Sequence, residues 1–108
     1  MMKQAMTGMA LAAMMLSGAA YGQSKGDAGK GKDVFEQCGV CHSADTDEKK
    51  MGPSLKGLYK KAKMGNGQKP SDASVMAIVN KGKGTMPAFA DVLTAEEKDH
   101  LLAYLKTI

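Results

Sequence analysis

The chain has no tryptophan and no arginine, and its 108 residues include only two cysteines, three prolines, two phenylalanines and three tyrosines. Each shortage removes a class of protein. With arginine missing, all fifteen basic residues are lysine and the formal charge is a mild +4. Nucleic-acid binding usually shows a clustered, arginine-containing basic stripe, so that function is excluded. No stretch alternates apolar and polar residues long enough to read as a strand, and the flanks of Asn66-Gly67 are lysine-rich. Sheet folds fall away with that pattern. The remaining composition, 44% hydrophobic and 24% charged, is that of a globular chain with room for one core. A core so poor in aromatics needs a staple, and a large apolar cofactor would serve.

No apolar run reaches the ~20 residues that a membrane-spanning helix needs. The longest, at residues 5–16, follows Met1-Met2-Lys3 and precedes Ser17-Gly18-Ala19-Ala20-Tyr21-Gly22. A positive start, a short apolar stretch and small residues beyond it describe a cleavable secretory leader. Residues 1–22 are therefore expected to be the leader and 23–108 the mature domain, with the cut after Gly22 or Ala20 and a periplasmic destination. No cysteine lies near the cut, which argues against a lipid anchor. Six of the ten methionines lie in the leader, leaving Met51, Met64, Met76 and Met86.

Within 23–108, Asp27 is a fair helix cap, and Gly31, Val34, Phe35 and Cys38 share one helical face at i, i+3, i+4 and i+7. A first helix is expected from Asp27 into Cys38. Residues 43–50 are polar and read as an exposed loop, and 55–61 as a short helix. Ser71 or Asp72 caps a second helix through Asn80, terminated by Gly82, and 83–92 follows as an extended loop. Thr94 with Glu97 forms a capping box, and Leu101, Tyr104, Leu105 and Ile108 repeat the helical spacing. The domain is expected to be all-α, with no internal repeat.

The chemistry sits in Cys38-Gly39-Val40-Cys41-His42. C-x-x-C-H is the attachment signature of a c-type haem: two thiols for thioethers, then an imidazole for the iron. A redox dithiol should lie near a βαβ pattern, which is missing. A zinc site normally has four ligands, and beyond the motif the chain offers only His100, which reads as a surface histidine on a charged helix. For a sixth ligand, Met76 lies in an apolar helical stripe, Met51 is only nine residues past His42, and nothing rigid follows Met64. Met86 lies between Gly84 and Pro87, where backbone can approach a flat ligand and the exit is stiff, so Met86 is chosen. The Pro53 carbonyl is a candidate to hold the other ring nitrogen of His42; an ordinary turn is the competing reading.

Taken in order, Cys38-Gly39-Val40-Cys41-His42, Gly52-Pro53-Ser54-Leu55, Gly82-Lys83-Gly84-Thr85-Met86-Pro87-Ala88-Phe89 and Leu101-x-x-Tyr104-Leu105 resemble the class I mono-haem cytochromes c of the short bacterial branch. The resemblance implies three main helices and loops wrapped around one covalent haem c, with the first and last helices crossing at Gly31, Phe35 and Tyr104. It implies Cys38 and Cys41 as thioether sites, His42 and Met86 as axial ligands, and the Pro53 carbonyl as the group orienting His42. Leu55, Tyr59, Pro87 and Phe89 are expected to support the pocket, Tyr59 at a haem propionate. The chain departs from the family in its short glycine-rich loop before Ser71 and in having no tryptophan at a propionate.

With both axial positions held by protein, one-electron exchange is the expected role, and not an enzyme's reaction. The expected protein is a monomeric soluble carrier that meets redox partners, with lysines such as Lys81 and Lys83 steering acidic surfaces. A haem subunit of a larger dehydrogenase or oxidase is the alternative, and a ligand sensor a more distant one. A single C-x-x-C-H excludes a di-haem enzyme.

Overall fold

The computed structural model describes residues 26–108, so the leader, its cleavage site and the start of the mature chain lie outside the described residues. Among the described residues, three α-helices and one 3₁₀ turn make up the regular structure: α1 (Ala28–Phe35), the 3₁₀ turn (Leu58–Lys60), α2 (Asp72–Lys81) and α3 (Ala95–Leu105). Among the described residues there is no strand, and the only isolated bridge pairs Lys83 with Met86.

Each helix starts where a side chain can satisfy its free N–H groups. The Asp27 carboxylate accepts the Lys30 N–H at 3.0 Å. Ser71 and Ser74 cap α2 reciprocally, with each backbone N–H donating to the other's hydroxyl. Thr94 and Glu97 form the expected box, with bonds of 2.9 and 3.1 Å. Gly82 ends α2: its N–H reaches the Ile78 carbonyl at 2.7 Å while its φ of +76° turns the chain away.

The core is Val34, Phe35, Leu58, Val75, Val79, Leu93, Leu101 and Leu105. Leu101, at 1% exposure, is its most buried side chain. α1 and α3 cross where Gly31 removes a side chain from between the backbones, and Phe35 meets Tyr104 as a tilted ring pair 5.3 Å apart. Burial, then the nearby Asp45, push the Tyr104 phenol up.

Several expectations need revision. α1 stops at Phe35 rather than running into Cys38, because the chain tightens there into successive turns. The segment 55–61 yields only the 3₁₀ turn, entered through Gly57 at φ +68°, and α2 extends one residue past Asn80. Residues 83–92 are not extended throughout: Lys83 and Met86 exchange backbone bonds of 3.1 and 3.0 Å across a tight turn with Gly84 at φ +62°. His100 is not a bystander on the surface. Its Nδ1 accepts the Asp27 N–H at 2.9 Å, tying α3 to the start of α1.

Candidate haem-binding site

The motif is shaped by the way α1 ends. The Cys38 and Gly39 N–H groups both donate to the Phe35 carbonyl, and those of Cys41 and His42 both donate to the Cys38 carbonyl. These turns give the two cysteines one-turn spacing and present His42 directly after them. Cys38 is half-buried against the core, and burial, then Cys41, push its thiol above the usual range.

The loop after the motif folds back beneath it. The Gly52 N–H donates to the Cys41 carbonyl at 2.8 Å and the Leu55 N–H to the Ser43 carbonyl at 2.8 Å. The Lys50 ammonium donates to the Gly39 carbonyl at 3.1 Å, and the Met51 sulfur lies 3.9 Å from Cys41 Sγ. This clamp brings the Pro53 carbonyl to 2.7 Å from His42 Nδ1. A carbonyl oxygen can only accept, so Nδ1 carries a proton at this contact, and in the neutral ring the lone pair then lies on Nε2. The ring is thereby oriented so that Nε2 is the nitrogen left for a metal.

Gly52 was not singled out from the sequence as part of this arrangement. A β-carbon there would stand 2.5 Å from His42 Cε1 and 2.9 Å from Nδ1. The available signal was a glycine directly before the proline that offers the carbonyl. Gly82 has a matching place at the other segment, where a β-carbon would meet the Met86 carbonyl at 2.5 Å. The Phe89 N–H bonds the Val79 carbonyl at 2.8 Å, so the Met86 segment is fastened to the end of α2.

Cys38, Leu55, Tyr59, Met86 and Phe89 all pack half-buried against the core, while Pro53 and Pro87 are exposed. Tyr59 has a partner within the protein. Its hydroxyl donates to Asp72 at 2.8 Å, with Lys106 bridging the same carboxylate at 3.1 Å. Burial, then that bond, push the Tyr59 phenol well up. In this structure the hydroxyl is engaged by a protein carboxylate.

The donor set suits a macrocycle that brings its own metal. Two one-turn-spaced thiols, an imidazole with a free Nε2 and a half-buried thioether are available, while among the described residues no three His, Cys, Asp or Glu side chains cluster to hold an ion. A surface cavity of about 540 Å³ lies between α1, residues 42–50 and Tyr104, and Gly39 and His42 of the motif are among its lining residues. Its walls carry Lys32, Asp33, Glu36, Asp45, Glu48 and Lys50, and they include no residue of the Met86 segment. That charged lining does not suit an apolar ring.

The chain is similar to known cytochromes over most of its length. The family described as cytochrome c oxidase, cbb3-type, subunit III matches residues 26–105. Cytochrome c6 of Rippkaea orientalis is 37% identical over 81 residues, covering 74% of this chain and 69% of that protein. Cytochrome c2 iso-1 of Magnetospirillum molischianum is 29% identical, covering 69% and 93% respectively. Among solved structures, cytochrome c6 from the diatom Phaeodactylum tricornutum superposes with a TM-score of 0.59 at 28% identity, over 76% of this chain and 93% of that one.

Proposed function

Since the chain belongs to the class I mono-haem cytochromes c, with their small all-α fold and one covalently attached haem c, we propose that it is a one-electron carrier with His42 and Met86 as the axial ligands. Cys38 and Cys41 form the two thioethers. The haem, when bound, supplies an Fe(III)/Fe(II) couple. Everything else falls to the protein: holding the ligands, excluding water and presenting an edge to partners.

The observation that carries this reading is the 2.7 Å approach of His42 Nδ1 to the Pro53 carbonyl. It fixes the tautomer, aims Nε2 away from the clamp and strengthens the imidazole as a donor. The Met86 thioether, a weaker donor, favours the reduced iron and raises the potential. Leu55 and Phe89, packed against the core, form apolar walls that disfavour the extra charge of the oxidised state.

The mature carrier works in the periplasm after loss of residues 1–22, and among the described residues no helix is long and apolar enough to cross a membrane. Residues 49–71 hold seven lysines and no acidic residue, and Lys81 and Lys83 flank the Met86 turn. These charges steer acidic surfaces on redox partners, so electron transfer slows as salt screens them. A second reading, a haem subunit held in a larger oxidase, is favoured by the description of the matching family. Co-purification with a large partner at both low and high salt would select it over the carrier.

Optical spectra of the purified protein in both redox states test the proposal. They should show c-type thioethers, six-coordinate low-spin iron and the weak long-wavelength band of an iron–methionine bond. Met86→Ala should abolish that band, lower the midpoint potential and open the reduced protein to carbon monoxide. Equal carbon monoxide binding by wild type and variant would remove Met86 as the ligand.

A further inference from the structure

Met51 stands apart from the other methionines of the mature chain. It is 73% exposed, whereas Met64, Met76 and Met86 are half-buried against the core. Exposure alone would make it an ordinary surface residue, but its sulfur lies 3.9 Å from Cys41 Sγ. Met51 also sits inside the clamp that positions His42. The Lys50 N–H donates to the Gly52 carbonyl at 3.0 Å, the Gly52 N–H to the Cys41 carbonyl at 2.8 Å, and the next residue offers its carbonyl to His42 Nδ1.

We propose that Met51 is a site of oxidation by hydroperoxides, and that its sulfoxide is felt at His42 through the turn it shares with Gly52 and Pro53. The step is an oxygen transfer. A lone pair of the Met51 thioether attacks the terminal peroxide oxygen, the O–O bond breaks as the S–O bond forms, and the proton on the transferred oxygen passes to the departing hydroxide or alkoxide, which leaves as water or alcohol. The thioether is oxidised and the peroxide reduced, with no further reductant. In the holoprotein Cys41 is itself a thioether, so no thiol beside Met51 competes for the oxidant. The Met86 sulfur donates to iron and is half-buried, which protects it.

Oxidation turns a flexible apolar side chain into a polar, chiral one. A sulfoxide attracts water and gives up the sulfur–sulfur contact with Cys41, so the turn shifts. The turn has little freedom to shift without effect, because Gly52 lies close enough to His42 that even a β-carbon would overlap the ring. A loosened Nδ1–H···O=C bond makes the imidazole a poorer donor. Oxidised iron loses support and the midpoint potential rises.

The inference rests on His42 as an iron ligand, and the experiment keeps the two claims separate. The untreated holoprotein is first checked for six-coordinate low-spin iron and the iron–methionine band; if these are missing, it is the ligation reading that fails. Holoprotein is then titrated with hydrogen peroxide and mapped by peptide mass spectrometry, with the midpoint potential measured at each dose. Met51 should gain one oxygen atom several-fold faster than Met64, Met76 or Met86. The potential should rise in step, keep the iron–methionine band, and return after treatment with methionine sulfoxide reductases. Met51→Leu should hold its potential through the same titration, and Met51→Gln, a polar mimic, should show the raised potential without peroxide. Faster oxidation of another methionine overturns the proposal, as does a Met51 sulfoxide or Met51→Gln that leaves the potential unchanged.

Discussion

Gly31 in α1 rests on the backbone carbonyl of His100 in α3, so closely that a β-carbon at Gly31 would overlap that carbonyl and approach Tyr104 Cβ to 2.7 Å. The obstruction is backbone, which cannot swing aside as a long side chain can. Gly31→Ala must therefore separate the helices, disturbing the Phe35–Tyr104 ring pair and the Asp27–His100 bond. Overpacking of this kind typically costs about 1–3 kcal/mol. Denaturant unfolding of the holoprotein should show a loss in that range. A change below ~0.5 kcal/mol, the usual scale of a surface substitution, would mean the helices approach less closely than described.

Gly52→Ala should act on the ligand rather than on the fold. The new methyl group meets His42 Cε1 at 2.5 Å, so the ring must turn and leave its bond to the Pro53 carbonyl. The expected outcome is a weakened low-spin spectrum and faster carbon monoxide binding, with far-ultraviolet circular dichroism retained. Gly65→Ala is the control, because a β-carbon there meets nothing and its φ is not in the left-handed region. Identical spectra for the two variants would separate Gly52 from the positioning of His42.

The sequence carried the parts of the site encoded by local spacing. Cys38, Cys41 and His42 are contiguous in a motif, and Thr94 with Glu97 announces α3 through a four-residue pattern. The contacts that hold the site together are less visible because they join distant segments. His100 received a surface reading from its charged neighbours, yet the Asp27 N–H, 73 residues earlier, reaches its Nδ1. The partner of the Tyr59 hydroxyl comes from α2, whose start the short glycine-rich loop brings within reach. The end of α1 was placed too late because Cys38 continues the apolar spacing of the helix. Periodicity does not distinguish a helix from the succession of tight turns found there.

Asp27 makes stability depend on pH at the acid end. Chiefly the Lys30 N–H holds its carboxyl below the usual carboxylate range; desolvation opposes this, and the Gly29 N–H and the Lys30 charge add to the lowering. The folded state then binds the proton more weakly than the unfolded state. The ionised cap stabilises the fold above the ordinary aspartate pKa of about 3.9, and that contribution is lost as pH falls through the lowered value. Asp27→Asn keeps an acceptor for the cap without a charge to titrate. Its unfolding free energy should fall less steeply with acid than that of wild type, which comparison of melting temperatures at neutral and low pH would measure. Parallel curves for the two proteins would exclude Asp27 as a contributor.

Two glycines beside Met86 allow conformational strain to be separated from steric obstruction. Gly82 and Gly84 both have positive φ, +76° and +62°, so alanine at either position is strained, and with ψ at 177° Gly82 lies in a region essentially reserved for glycine, at a cost of roughly 1–3 kcal/mol. Only at Gly82 is the space also filled: a β-carbon there meets the Met86 carbonyl at 2.5 Å and the Pro87 carbonyl carbon at 2.8 Å, whereas at Gly84 it meets nothing. Gly84→Ala should lower the melting temperature and leave the iron–methionine band in place. Gly82→Ala should push the Met86 backbone away from the end of α2 and weaken that band, with carbon monoxide binding rising in proportion. If both variants kept the band equally, the contact between Gly82 and Met86 would serve only the course of the chain and not the placement of the ligand.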